Sequence, residues 1–170
     1  MLTINEIFHS IQGESTRAGL PCVFVRLTAC DLRCAWCDTP YAFTEGQKLS
    51  TDEVVRQVEG YGCPLVEITG GEPLLQEEVY PLMERLMAAG NTVLLETGGH
   101  ISVARVPSGV VKLLDVPRHA GGGWTGVRLA TPLAQRNAGR GVERMAYWHD
   151  GLLSASRDKL VTIPAAPEVG

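Results

Sequence analysis

Strand-like and helix-like segments alternate along residues 2–116 of the chain. Short runs rich in apolar and β-branched residues predict strands at 2–9, 22–28, 65–69, 92–96 and 110–116. Helical spacing of apolar residues predicts one helix after Ser50 and another over 79–87. Strands that alternate with helices form parallel sheets with helical crossovers, so we predict an α/β fold. The uninterrupted run at 22–28 predicts a strand buried on both faces.

Local signals define the ends of the two predicted helices. Ser50 and Glu53 have the spacing of a capping box, in which the hydroxyl and the carboxylate each satisfy a free backbone N–H. Pro81 is compatible with the second helix only in its first turn. The apolar stripe of that helix comprises Val79, Leu82, Met83, Leu86 and Met87.

Polar and cysteine-rich motifs follow the predicted strands. They are the cysteine group at 30–37, the TGGEP sequence at 69–73, ETGG at 96–99 and LLDV at 113–116. The carboxyl ends of parallel strands lie at one edge of a sheet, where sites of α/β folds form. We therefore expect these motifs to meet in one site.

Three of the five cysteines lie within eight residues, as Cys30-x3-Cys34-x2-Cys37. An odd number of cysteines and no recognisable secretory leader argue against a disulfide framework and favour a reducing, cytoplasmic setting. Cys22 and Cys63 adjoin apolar runs and are predicted to be buried structural thiols.

Thiolate ligands suit both zinc and iron–sulfur clusters. A structural zinc ion normally takes four Cys or His ligands, and His9 or His100 could complete such a set only through the fold. A four-iron cubane held by three cysteines leaves one iron open to another ligand. Both kinds of site are compatible with the spacing.

The cysteine spacing, with Trp36 before the last cysteine and Gly70-Gly71-Glu72-Pro73 one strand later, resembles the radical S-adenosylmethionine (SAM) superfamily. Within it, residues 1–116 resemble the 7-carboxy-7-deazaguanine synthase family. That narrower resemblance is carried by the sequences INEIF (4–8), IQGE (11–14), FVRL (24–27) and WCDT (36–39). It implies a partial, incomplete TIM-like barrel, truncated or atypical after the fourth or fifth strand.

The resemblance also implies roles for individual residues. The ligands of one [4Fe–4S] cluster would be Cys30, Cys34 and Cys37. Contacts to SAM would come from Trp36, Asp38, Gly71, Glu72, Glu96 and Asp115. Substrate contacts would come from Ile11, Gln12, Gly13, Arg26 and Thr69, and Thr39 would bind Mg²⁺. Arginine suits a substrate that carries a carboxylate, because its planar fork pairs with two oxygens.

The implied reaction is that of a radical SAM carbon–nitrogen lyase. It converts 6-carboxy-5,6,7,8-tetrahydropterin to 7-carboxy-7-deazaguanine with loss of ammonia, in the biosynthesis of queuosine, a modified tRNA nucleoside, and related 7-deazapurines. A radical derived from SAM would take hydrogen from C6, and SAM would be regenerated. The implied partners are a reductant such as flavodoxin and a second copy of the chain.

Residues 117–170 form a tail of different character. Residues 1–116 carry eight basic and fifteen acidic side chains, against seven and four in the tail, which is rich in Ala, Gly and Arg. It lacks the lysine-bearing step and the substrate-contacting segment that the family places there. No strand pattern is visible, and one weak helix is predicted around Val142, Met145, His149 and Leu152. We hypothesise a frameshift or sequencing artefact after a truncated radical SAM core.

Two other functions remain compatible with the sequence. The first is a glycyl-radical-enzyme activase, and the second is a metal-binding remnant without catalysis. A net charge of −4 gives no reason to expect nucleic-acid binding, and no apolar run approaches the length of about 18 residues that spans a bilayer.

Overall fold

A computed structural model of the protein describes residues 1–34, 37–116, 126–130, 144–147, 154–156 and 159–161. For residues 115 and 116 and for the strands after them, only the backbone is described. The strands are β1 (Leu2–Ile11), β2 (Pro21–Leu27), β3 (Gln47–Leu49), β4 (Leu65–Gly70), β5 (Thr92–Thr97), β6 (Val111–Val116), β7 (Gly126–Ala130), β8 (Arg144–Tyr147), β9 (Ser154–Ser156) and β10 (Lys159–Val161). The α-helices are α1 (Thr51–Gly60) and α2 (Val79–Ala88).

The first eight strands form one open, mixed sheet in the order β3-β1-β2-β4-β5-β6-β7-β8. Its centre is parallel: β2 pairs with β4, β4 with β5, and β5 with β6. The flanking pairs are antiparallel. The predicted α/β fold with a parallel sheet is confirmed, as is the expectation of an incomplete barrel. None of the helices in the described residues is long and apolar enough to cross a membrane.

The two predicted helices are confirmed, with their caps. The Ser50 hydroxyl accepts a hydrogen bond from the Glu53 N–H, and the Glu53 carboxylate accepts one from the Ser50 N–H at 2.7 Å. Pro81 lies in the first turn of α2, where its missing N–H costs no helical bond. Both helices bury their apolar sides in the same core as the central strands.

The expectation that the tail contains no strands is wrong. Strand β7 pairs antiparallel with β6, and β8 pairs with β7. The helix predicted around Val142 is also wrong where it is described, because residues 144–147 form β8. A strand added to a sheet edge is held by backbone hydrogen bonds, which leave little trace in side-chain periodicity. The rest of that predicted helix lies outside the described residues.

The central strands have two different faces. Val23, Val25 and Leu27 of β2 are buried in the apolar core, whereas Phe24 and Arg26 point to the opposite face and are only partly buried. The prediction that β2 is buried on both faces is therefore wrong. Alternating side chains of a strand lie on opposite faces, and here one face packs against protein while the other lines a cavity.

Candidate active site

One cavity of about 340 Å³ opens on the polar face of the sheet. It is formed by the loop after β1, the loops after β2, β4 and β5, and the polar faces of those three strands. The predicted site residues that line it are Gln12, Gly13, Arg26, Cys30, Cys34, Cys37, Asp38, Thr39, Thr69, Gly71, Glu72 and Glu96. Three of the strand-end motifs, the cysteine group, TGGEP and ETGG, thus lie in one site as predicted.

Three predicted site residues are not among those lining the cavity. Ile11 is the last residue of β1, and it is 65% exposed to solvent. Trp36 lies outside the described residues, as does the side chain of Asp115. The roles of these three residues stay predictions.

The cysteine loop is anchored through Ala29, the residue before Cys30. Ala29 has a left-handed backbone, with φ of 80°, which is strained for a residue with a Cβ. Its N–H donates to the Ala42 carbonyl at 2.9 Å, and its carbonyl accepts from the Glu72 N–H at 2.8 Å. The bond to Glu72 therefore ties the loop after β2 to the loop after β4.

Gly71 is the point of closest approach between these two loops. A Cβ built on Gly71 would overlap the Ala29 carbonyl and would come within 3.0 Å of the Cys30 Cβ. Only glycine leaves room for this approach. The second glycine of the GGEP motif is therefore required by the close approach of the two loops, and not only by the formation of a turn.

The three clustered thiols differ from the other two cysteines in exposure. Cys30, Cys34 and Cys37 are partly exposed and line the cavity, whereas Cys22 and Cys63 are buried, as predicted. Burial is the main cause that raises the pKa of the Cys30 thiol, and the nearby Asp31 and Glu72 act in the same direction. Burial also raises the pKa of the Cys22 thiol, to about 12.

The three clustered thiols are a donor set that fits an iron–sulfur cluster. Within the described residues, no three His, Cys, Asp or Glu side chains stand close enough to share one metal ion. The cysteines of a cubane bind different irons, so three thiols along one cavity wall are a suitable set.

The Glu72 carboxylate fastens the end of β4 to the end of β5. It is 1% exposed and accepts hydrogen bonds from the Thr97 hydroxyl at 2.8 and 2.9 Å, from the Gly98 N–H at 3.0 Å and from the Leu74 N–H at 3.0 Å. Buried carboxylates need such donors. This network fixes the wall formed by TGGEP and ETGG.

His100 extends the same network to the cysteine loop. Its Nε2 lies 2.8 Å from a carboxylate oxygen of Asp31, and its Nδ1 lies 3.8 Å from Glu72. From the sequence alone we assign His100 a structural role. A position between two site loops is compatible with that role, and its partners Asp31 and Glu72 are not visible from the sequence because they are distant in the chain.

Arg26 is held in a fixed orientation on the cavity wall. Its Nε donates to the Glu6 carboxylate at 2.7 Å, and the Tyr41 hydroxyl donates to the same oxygen at 3.3 Å. The guanidinium also lies 5.7 Å from the centroid of the Phe8 ring and 5.9 Å from that of Tyr41. Burial is the main cause that raises the pKa of Tyr41, which therefore keeps its proton.

Glu67, in the middle of β4, is a cavity residue that the sequence analysis missed. It accepts a hydrogen bond from the Gln12 carboxamide. Burial and the neighbouring Glu96 raise its pKa to about 8. On the next strand, Glu96 accepts from the Thr69 hydroxyl at 2.6 Å. The available signal was the alternation Glu67, Thr69 within an otherwise apolar strand, which marks a polar face.

Comparisons with known proteins agree with this geometry. A family model described as the radical SAM superfamily matches residues 24–122. A 7-carboxy-7-deazaguanine synthase of Koribacter versatilis is 56% identical over 123 residues, covering 71% of this chain and 54% of the relative. Another protein of that name, from Chlorobaculum tepidum, is 46% identical over 71% of this chain and 55% of its own length.

A solved structure is also similar. The crystal structure of QueE from Escherichia coli superposes with a TM-score of 0.62 at 28% sequence identity. The match covers 71% of this chain and 63% of that chain. This chain spans about half the length of the curated relatives named above.

Proposed function

This chain belongs to the radical SAM superfamily, and from that premise we propose that it acts as a 7-carboxy-7-deazaguanine synthase. The reaction would convert 6-carboxy-5,6,7,8-tetrahydropterin to 7-carboxy-7-deazaguanine with loss of ammonia. The observation that carries the proposal is that one cavity joins the three thiols to Gln12 and Arg26. Identities of 56% and 46% to two synthases, each over 71% of this chain, support it.

The cluster-binding residues would be Cys30, Cys34 and Cys37, and SAM would bind beside Gly71 and Glu72. When bound, the cluster and SAM supply one-electron radical chemistry. The chain's own residues bind and orient the reactants and keep water out. The backbone hydrogen bond from the Glu72 N–H to the Ala29 carbonyl holds the two binding loops together. Radical transfer between bound partners requires such positioning.

On the substrate side, we assign the carboxylate of the pterin to Arg26. The bond from its Nε to Glu6 leaves the two Nη groups as the fork for a carboxylate. Thr69 and Gln12 supply further polar contacts from the same cavity. Thr39 would contribute to a Mg²⁺ site completed by substrate oxygens and water, since Mg²⁺ takes few protein ligands.

Several properties of the whole enzyme belong to the same proposal. A one-electron donor such as flavodoxin would reduce the cluster, and two copies of the chain would associate. The reaction would take place in the cytoplasm, where the three thiols stay reduced. We treat residues 1–116 as the catalytic core and residues 117–170 as a tail of frameshifted origin. Resequencing the gene tests that origin, since an intact frame with this tail in several isolates contradicts it.

An anaerobic reconstitution tests the activity. The chain is loaded with iron and sulfide, reduced with dithionite, and given SAM, Mg²⁺ and the carboxytetrahydropterin. Formation of 7-carboxy-7-deazaguanine supports the proposal, with C34A as the cluster-deficient control. Cleavage of SAM without that product would favour an activase, and a protein that holds no iron–sulfur chromophore would be the non-catalytic remnant.

A further inference from the structure

We propose that Glu67 is a positioning residue of the substrate site, which acts by holding the carboxamide of Gln12 in one orientation. This inference rests on the proposed function for the identity of the ligand. It goes beyond that function by assigning a role to a carboxyl group that none of the motifs contains.

Four hydrogen bonds fix Gln12, two through its backbone and two through its side chain. Its backbone N–H donates to the Leu20 carbonyl at 2.8 Å, and its carbonyl accepts from the Gly19 N–H at 2.8 Å. Its Oε1 accepts from the Glu14 N–H at 2.9 Å, and its Nε2 donates to Glu67. The residue is 2% exposed. These bonds set the carboxamide with nitrogen toward β4 and oxygen toward the loop after β1.

The carboxamide keeps part of its bonding capacity for a ligand. A carboxamide has two N–H donors and two acceptor lone pairs. Within the described residues, one donor of Gln12 is used by Glu67 and one acceptor by Glu14. One N–H and one lone pair of this cavity-lining residue therefore remain for a ligand. Together they complement a heterocycle with adjacent C=O and N–H groups. The lactam edge of a pterin has this chemistry.

Glu67 is buried without a cation beside it among the described residues, and its surroundings explain how its carboxyl can still accept a hydrogen bond there. It is 4% exposed, and none of the ion pairs among the described residues includes it. The titratable groups that face it are Glu96 on β5, Glu14 in the loop after β1 and Cys22 on β2. All would carry negative charge if ionised, so the protonated form of Glu67 is favoured. A neutral carboxyl still accepts from Gln12 and adds no repulsion toward an anionic ligand.

Two substitutions separate the positioning role from simple packing. In E67Q, the amide oxygen still accepts from Gln12 and the group no longer titrates. In E67L, the acceptor is lost and the Gln12 donor is left unpaired in a buried place, which is costly. The matched controls are E84Q and E84L, because Glu84 is an exposed residue of α2, a helix that packs on the opposite face of the sheet.

The first measurement is the affinity of the reconstituted protein for the carboxytetrahydropterin, by anaerobic calorimetry from about pH 6.5 to about pH 9. Wild-type affinity should fall above about pH 8, as Glu67 ionises beside Glu96. E67L should bind about tenfold more weakly at neutral pH. E67Q should lose less affinity than E67L, and its affinity should lack the alkaline decline. Equal affinities and equal pH profiles in wild type, E67L and E67Q would overturn the proposal.

The second measurement needs no ligand. In ¹⁵N-labelled protein, the side-chain NH₂ signal of Gln12 should shift with a midpoint near pH 8 in the wild type and stay constant in E67Q. If that shift occurs but the wild type binds no pterin, the positioning of Gln12 stands and the proposed function fails. If the signal does not respond to Glu67, the positioning role is excluded, whatever the substrate proves to be.

Discussion

The Nε of Arg26 lies 2.7 Å from a carboxylate oxygen of Glu6, across the antiparallel pair of β1 and β2. The side chain of Arg26 is mostly buried, whereas that of Glu6 is well exposed to solvent. The pair therefore contributes little to stability as a salt bridge. Its consequence is geometric, because it fixes which edge of the guanidinium remains for a ligand.

We predict that Glu6→Gln weakens binding of the carboxytetrahydropterin by about threefold to tenfold, because the orientation of Arg26 is less restrained. The Michaelis constant should rise, and the turnover number should change much less. Tyr41→Phe removes the second donor to Glu6 and should give a smaller effect of the same sign. A Michaelis constant equal to that of the wild type in both variants would contradict this role.

Gly71→Ala should destabilise the protein and impair assembly of the cluster, because the added methyl would overlap the Ala29 carbonyl. We expect a loss of about 1–3 kcal/mol in the free energy of unfolding, as for other overpacked sites. Urea denaturation and iron content per chain measure the two effects. Gly60→Ala is the control, since no atom lies within 4 Å of a Cβ there. Its stability should be unchanged or slightly higher, because Gly60 ends a helix.

Thr97→Val tests the network around Glu72 with a change that nearly preserves volume. It removes the hydroxyl that donates to both carboxylate oxygens. The cost should be about 1–3 kcal/mol, because a buried carboxylate loses a donor. Thr92→Val, at the start of β5, is the control and should change the free energy of unfolding by less than about 0.5 kcal/mol. Similar urea midpoints for the two variants would argue against a role of Thr97 in holding Glu72.

The burial of Lys112 should make the free energy of unfolding depend on pH in the alkaline range. It is fully buried in β6 and donates to the carbonyls of Val110 and Pro107 at 3.0 and 3.2 Å. Burial lowers its pKa to about 8, against about 10.4 in an unfolded chain. Below about pH 8 both states hold the proton, so the cost of burying the charge is fully present. Between about pH 8 and pH 10 the folded state loses its proton first, so this contribution to stability improves as pH rises.

The variant Lys112→Met removes that contribution. The stability of Lys112→Met relative to the wild type should therefore be most favourable near neutral pH and should decline toward about pH 10. Thermal unfolding at several pH values gives this difference. Lys48→Met, on the exposed edge strand β3, is the control and should show no such trend. A constant difference between Lys112→Met and the wild type across this range would exclude the proposed titration.

The sequence predicted those parts of the fold and site that local patterns encode. The capping box at Ser50 and the strand-end motifs depend on neighbours within a few residues, and both were predicted correctly. Glu67 was missed because one acidic residue in an apolar run has no local partner. Its partner Gln12 is 55 positions away in the chain.

The wrong predictions about the fold have two different physical causes. The run at 22–28 is apolar enough for a fully buried strand, but one of its faces lines a cavity, and a cavity leaves no mark on hydrophobicity. Strands β7 and β8 depend on backbone pairing to a neighbour that already exists. Hydrogen bonds between backbones carry little sequence signal, so a periodicity argument cannot detect them.

The alternation of β4 couples the integrity of the site to the alignment of a single strand. Val66 and Ile68 fill the core, while Glu67 and Thr69 line the cavity. Inserting one residue before Val66 would exchange these two sets, placing a carboxyl in the core and isoleucine in the cavity. Ligand binding therefore depends on the register of β4. A protein that folds with β4 shifted by one residue would be less stable and would not bind the substrate.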